Sequence, residues 1–279
     1  MTAVTTPTQQ QQQLPSMWNV GIARGLLEVK LFFRQRDAVV FSFAMPIGLF
    51  IFFAGIFGGN DLGGGVDYNQ VLLPSMLTAG LASTTLTNLA IWIAIDRDNG
   101  TLRRLVTTPM PRGAYFLGKV IQMVIVGALE SIALLAVGVF VYGVDLPATP
   151  GKWFTFGWVT LMAFATFGIL GVALSSLPRT SKSAPAVINA PVMLLLFISG
   201  IYLPLTMLPG WLQDASGFFP LRWVAQGLRS AFLPDDVASA TEAAGSWEHG
   251  RILLVLLAWF VAGLVVCVTT FRWKRRGDG

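Results

Sequence analysis

Apolar residues in this chain come in runs of about twenty, separated by short polar breaks. The alternation of a half-buried strand and the narrow stripe of a soluble surface helix are both missing from these runs. The runs cover residues 39–57, 72–95, 120–142, 154–177, 186–203 and 252–271. Each is near the length that a bilayer of about 30 Å demands of a helix. The pattern predicts an all-α membrane protein with six transmembrane helices. Ahead of the first run, Trp18, Ile22, Leu26, Val29 and Phe33 recur at helical spacing. Arg24, Glu28, Lys30, Arg34 and Arg36 sit away from that stripe, which predicts a helix over 17–37 lying in the membrane interface. Between the fifth and sixth runs, Pro204, Pro209 and Pro220 break an apolar stretch into pieces too short to span. With Trp211 and Trp223 as interface residues, that stretch predicts one or two short re-entrant helices in the outer leaflet, followed by a polar loop.

Composition agrees with lipid as the solvent. The chain has 279 residues, of which 54% are hydrophobic and 12% charged, against about 25% charged in a soluble domain. No room is left for a sizeable soluble domain, and the net charge of +5 needs no nucleic acid to explain it. Arg97, Arg103, Arg104, Arg112, Lys119, Arg179, Lys182 and the basic C-terminal residues alternate across the runs with the much less basic segments holding Lys152, Arg222, Arg229 and Arg251. That asymmetry predicts both termini on the cytoplasmic side, here of a bacterial cytoplasmic membrane. Residues 1–16 are polar and glutamine-rich, and are expected to be a disordered tail without a cleavable signal peptide. Residues 38–273 form the transmembrane domain and 274–279 a cytoplasmic tail. Cys267 is the single cysteine, so an intrachain disulfide is ruled out and the thiol reads as a small buried hydrophobe.

The charged insert at residues 96–119, DRDNGTLRRLVTTPMPRGAYFLGK, separates the second and third runs. Asn99-Gly100 signals a turn. Thr101 is placed to cap a short helix ending at Thr108, before Pro109 and Pro111. Leu102, Leu105 and Val106 share one face, with Arg103 and Arg104 elsewhere. A helix of two turns is unstable alone in water, so it must be held by its flanking spans and by a docking partner. The alternative is a tight basic loop without one. Residues 113–119 match most of a phosphate-loop pattern, but Val120 stands where a magnesium-binding Ser or Thr is required. The chain therefore lacks an ATPase of its own.

This insert resembles the cytoplasmic loop of ABC-2 type transporter permeases: an acidic residue, Gly-Thr-Leu, a basic pair, then Thr-Pro before the third span. Residues 199–229, SGIYLPLTMLPGWLQDASGFFPLRWVAQGLR, are similar to the family's run after span five. The nearest likeness is to the daunorubicin-resistance type of drug and lipid exporters. The resemblance implies a permease dimer, a homodimer or a pair of similar chains, above two copies of a separate ATP-binding subunit. ATP and magnesium would be bound by that subunit, with no cofactor in this chain. It implies that Gly100, Thr101, Leu102, Arg103, Arg104, Leu105, Val106, Thr107 and Thr108 form the coupling helix. Arg24, Glu28, Lys30 and Arg34 would belong to a connecting helix. Hydrophobic or amphiphilic compounds would pass outward between the permease copies.

Candidate residues for that path are Thr84, Thr87, Asn88, Glu130, Asn189 and Phe197. Glu130 is a lone carboxylate deep in a span, where acids are functional by default. Proton coupling and contact with a cationic substrate stand against a structural hydrogen bond to a neighbouring helix. Ser83, Thr84, Thr85, Thr87 and Asn88 make the second run polar, in keeping with interhelical packing or an aqueous cavity. His249 is alone, so no metal site is expected. Two other classes, a membrane-embedded lipid-modifying enzyme and a secondary transporter, would need a paired acid or nucleophile or an inverted repeat. The sequence displays neither.

Overall fold

A computed structural model describes residues 16–59, 66–108, 110–203 and 205–270, and all its long elements are helices. The expected N-terminal and C-terminal tails, Asp61, Pro109, Pro204 and the basic cluster Arg272–Arg276 lie outside those residues, as does the side chain of Val106. In chain order the helices are α1 (Met17–Arg34), α2 (Arg36–Phe57), α3 (Tyr68–Leu81), α4 (Leu89–Asp98), α5 (Thr101–Val106), α6 (Arg112–Tyr142), α7 (Pro150–Leu174), α8 (Ala184–Ile198), α9 (Gly210–Ser216), α10 (Pro220–Phe232), α11 (Ala238–Thr241) and α12 (His249–Thr270). A π-helical segment, Ala82–Asn88, joins α3 to α4 in one rod, Tyr68–Asp98. Local chemistry sets the ends. Asp67 accepts the amide proton of Asn69 to cap α3. Thr149 caps α7, with Pro150 in its first turn. Gly143, at φ 67°, closes α6 in the left-handed conformation.

The chain is a multi-pass, all-helical membrane protein, but the expectation of six spans is corrected. Five helices among the described residues are long and apolar enough to cross a bilayer: Arg36–Phe57, Tyr68–Asp98, Arg112–Tyr142, Pro150–Leu174 and His249–Thr270. The expected fifth span is the 15-residue α8, about 22 Å long at 1.5 Å per residue against a hydrocarbon core of about 30 Å. Hydropathy ran on to residue 203, whereas the backbone leaves the helix at Ser199 and turns at Gly200, where φ is 71°.

The rod Tyr68–Asp98 is the axis of packing. Leu72, Leu73, Met76 and Leu77 share one buried cluster with Phe50 and Ala54 of α2, Val159 and Phe167 of α7, Val192 of α8, Trp223 and Leu228 of α10, and Ile252 and Leu256 of α12. α8 begins beside Ala90 and Ala94 of α4. Beyond its other end, Tyr202 meets Phe53 and Phe197, and its carbonyl accepts the Tyr68 hydroxyl proton. α12 starts near α10, where His249 Nε2 lies 3.0 Å from Ser230 Oγ, and runs back to Cys267, whose thiol donates to the Ile169 carbonyl. The described chain thus starts and finishes at the end of the bundle that carries α5.

Two short helices, α9 and α10, occupy the stretch between α8 and α12, and the interface placement of Trp223 is corrected. Every residue of α10 is buried, and Trp223, read as an interface residue, is 1% exposed. Its indole N–H donates to the Gly217 carbonyl, and the guanidinium groups of Arg222 and Arg251 lie against its ring. Burial lowers the pKa of Arg222, with Glu242 acting in the opposite sense. Polar side chains on α10 find partners inside the protein rather than in headgroups. Arg229 pairs with Glu242 at 2.6 Å and donates to Ser75 Oγ and to the Gly200 carbonyl. Gln226 donates to the carbonyls of Ser246 and Trp247.

Removing one member of a buried ion pair costs about 3–5 kcal/mol, because the other charge is left uncompensated. Glu242→Ala should therefore lower the melting temperature of the detergent-solubilised protein sharply. Asp236→Ala, at an exposed position, should leave it unchanged. Equal melting temperatures for the two variants would contradict this role of the pair.

Candidate functional site

The candidate site is the end of the bundle built around α5. Gly100, at φ 74°, is the N-cap residue of α5, so the turn into the helix depends on a left-handed backbone and not on a side-chain cap. This corrects the expectation that Thr101 caps it. The helix is also shorter than expected: it ends at Val106, where the hydroxyls of Thr107 and Thr108 donate to the carbonyls of Arg104 and Leu105. Leu102 is fully buried within the chain and Leu105 is half-buried. Arg103, Arg104, Thr107 and Thr108 are exposed.

Both flanks of α5 are tied down by charge. Lys119, near the start of α6, is 4% exposed, and its Nζ lies 3.0 Å from Glu28 Oε2 of α1 and 3.0 Å from Asp96 Oδ2 of α4. Arg24 donates to Glu28 Oε1 from Nε at 2.9 Å and from its terminal nitrogen at 2.5 Å. The Tyr115 hydroxyl donates to Asp96 Oδ2 at 2.9 Å. Two cations and two carboxylates make the cluster neutral, which is what burial requires. On the other side, Arg97 donates to the Ser175 carbonyl at 2.5 Å and the Pro178 carbonyl at 3.3 Å, and the Ser181 amide donates to Asp98 Oδ2 at 2.8 Å. The residues entering and leaving α5 are therefore joined to α1 and to the loop between α7 and α8.

Small residues make that joint possible. α1 lies along α6, and a Cβ on Gly25 would lie 2.7 Å from Ile121 Cβ; one on Gly118 would lie 2.8 Å from Arg24 Cγ. The stripe read as the apolar face of α1 points outward: Trp18 is 63% exposed and Leu26 57%. The inward face is Gly21, Gly25, Glu28 and Phe32. Of the charged residues on this helix, Arg24 and Glu28 enter the cluster, while Lys30 and Arg34 are exposed. Two features of this joint escaped the sequence reading. The Gly21-x-x-x-Gly25 spacing marks close helix contact in membranes, and Lys119 has a carboxylate partner on each of two preceding helices.

The candidate path residues fall on separate surfaces. The Thr84 hydroxyl donates to Glu130 Oε2, and both residues are buried, as is Thr87. Asn88 donates to Ser42 Oγ of α2 at 3.3 Å. Asn189 and Phe197 lie on the exposed side of α8. A groove of about 650 Å³ lies between α6, α7 and α12 and is lined mainly by apolar residues such as Phe116, Val124, Leu161 and Phe260, together with Lys119 and Cys267.

Residues 26–233 match the family model described as ABC-2 type transporter. Similar curated proteins include the probable multidrug ABC transporter permease YbhR of Escherichia coli K12, 24% identical over 170 residues, which are 61% of this chain and 45% of YbhR. The putative transport permease YvfS of Bacillus subtilis 168 is 24% identical over 202 residues, 72% of this chain and 81% of YvfS. The linearmycin resistance permease protein LnrN of the same organism is 26% identical over 168 residues, 60% of this chain and 42% of LnrN. The matched region thus spans less than half the length of YbhR and of LnrN.

Lys119→Met would leave two carboxylates facing each other without their cation and should cost about 3–5 kcal/mol of stability. Glu28→Gln in that background should restore part of the loss, with a coupling energy of about 0.5–3 kcal/mol in a double-mutant cycle of unfolding in mixed micelles. Strictly additive losses would contradict the pairing.

Proposed function

The chain belongs to the ABC-2 type transporter family, and on that premise we propose that it is the membrane permease subunit of an ATP-driven exporter. It moves hydrophobic or amphiphilic compounds, such as drugs, antibiotics or lipids, out across a bacterial cytoplasmic membrane. It performs no bond chemistry itself. Two copies of a separate ATP-binding subunit supply the energy, and ATP and magnesium are bound there. Both termini and α5 face the cytoplasm. The excess of Lys and Arg at the α5 end supports that orientation, as does the return of α12 to the same end. The multidrug and linearmycin-resistance descriptions of the relatives support an amphiphilic cargo.

The observation that carries the proposal is the contrast between the outer and inner attachments of α5. Arg104, Thr107 and Thr108 are exposed and serve as the docking surface, with Arg103 beside them and Leu105 as the half-buried apolar contact. Gly100 and Thr101 form the entry turn, Leu102 anchors the helix to its own bundle, and Val106 belongs to the same short element. Arg24 and Glu28 of the connecting helix, residues 17–37, lock this element to α1 and α6, with Lys30 and Arg34 on its outer side. Closure of the ATP-binding subunits displaces α5 as a rigid body, and the rods on either side of it tilt. ATP drives the change because it binds one of the two states better.

Transport also needs a second permease copy, taken here to be an identical chain. Exposed apolar residues on α2 (Phe41, Met45, Phe52) and α8 (Met193, Leu194, Phe197) support a seam along those helices. Asn189 and Phe197 would then face the passage between copies. Residues 38–273 make up the transmembrane domain in this reading.

Leu105→Asp combined with Arg104→Glu should abolish copurification of the ATP-binding subunit and export in vesicles, while membrane insertion and melting temperature stay as in the parent. Full export by that variant would remove the docking role. Export by this chain in vesicles without any ATPase would remove the permease reading as a whole.

A further inference from the structure

Glu130 sits near the middle of the 31-residue α6 and is 2% exposed. Its Oε2 accepts from Thr84 of the π-helical segment. Its Oε1 has no hydrogen-bond partner and packs on Gly80, where an added Cβ would lie 2.8 Å from it. No space exists at that oxygen for an organic cation. The charged residues on the helices near α6 are Arg24, Glu28, Lys30 and Arg34 on α1, Arg36 and Asp37 on α2, Asp96, Arg97 and Asp98 at the end of α4, and Lys152 on α7. The titratable side chain of α3 is Tyr68, its first residue, and α6 itself adds Arg112, Tyr115, Lys119 and Tyr142. Lys119 is eleven positions away, about 16 Å along the helix, and is engaged by Glu28 and Asp96. An ionised Glu130 would thus be a buried anion without a countercharge, a state strongly disfavoured by desolvation. The ligand that fits is a proton.

A way out for that proton lies alongside. A cavity of about 20 Å³ is lined by Thr84, Asn88, Gln122 and Lys119 together with apolar neighbours. Room of about 10–15 Å³ suffices for one water held by two to four polar groups. Of its lining residues, Thr84 is bonded to Glu130 and Lys119 is the centre of the charged joint. π-helical turns are local irregularities that recur at functional sites, and this one holds the hydroxyl that grips the carboxyl.

We propose that Glu130 is a proton-binding site that exchanges with the α5 end of the bundle through this cavity, releasing its proton when α6 shifts against the Tyr68–Asp98 rod. In the release step the O–H bond of the carboxyl breaks and its electron pair stays on Glu130. The proton passes to the Thr84 hydroxyl oxygen, which hands its own proton to a water in the cavity and on to solvent at the α5 end, while Glu28 and Asp96 keep their pairing with Lys119. This site goes beyond the export reading, because a proton enters a cycle otherwise driven by nucleotide.

The test uses the full chain in lipid nanodiscs, without an ATP-binding subunit, so that its outcome is separate from that of the permease reading. Infrared spectroscopy at pH 7 should show the carbonyl stretch of a protonated carboxylic acid, absent in Glu130→Gln. On transfer to D₂O the band should shift, and Gln122→Leu, which dries the cavity, should slow that shift several-fold. A missing acid band in the parent protein, or one that persists in Glu130→Gln, overturns the proposal. Should Glu130→Gln fail to fold, Gln122→Leu still decides: exchange at the parent rate overturns the route.

Discussion

A lysine ammonium cannot stay charged inside a protein without oxygen partners, and Lys119 takes its partners from two other helices. One interaction therefore fixes three elements: α1 through Glu28, the end of α4 through Asp96, and the start of α6 through Lys119 itself. Desolvation makes the arrangement demanding, since each ion removed from water carries a penalty that only close pairing offsets. The glycines at 21, 25 and 118 answer that demand by letting α1 approach α6 closely. Charge neutrality and backbone proximity are thus two sides of one joint.

The joint links the end of α4, which leads into α5, with the start of α6, which follows it. The turn into α5 is made at Gly100 in the left-handed conformation. Arg97 and Asp98 extend the connection to the loop before α8. The opposite end of the bundle is secured independently by Arg229 and Glu242. Between them lies the rod Tyr68–Asp98, whose π-helical segment interrupts an otherwise continuous α-helical ladder. Rigid ends with an irregular middle suit a lever whose motion is absorbed at Thr84 and Glu130.

Much of this was legible from the residues. Long apolar runs locate the five full-length rods, because a bilayer leaves few alternatives to a helix. The insert at 96–119 announces a short helix between spans. Three features were not readable in that way. Hydropathy counts residues and is blind to Gly200, where the backbone turns out of α8. Proline marked the two short helices between α8 and α12, but Trp223 was read as an interface residue, whereas Arg222, Gln226 and Arg229 at helical spacing are the mark of a buried face with internal partners. Glu130 stood out as a lone acid, yet its partner in Thr84 is set by tertiary packing alone.

The central claim is that α1, α5 and the start of α6 move as one body when nucleotide is bound. Pulsed electron spin resonance measures this most directly in the reconstituted complex, with labels at the exposed Leu26 and at the exposed Asn99 beside α5 and, in a second sample, at Asn99 and the exposed Ala244, each with Cys267→Ala. The account predicts an unchanged Leu26–Asn99 distance on adding ATP and a changed Asn99–Ala244 distance. A Leu26–Asn99 distance that shifts with nucleotide while the other stays constant would contradict it.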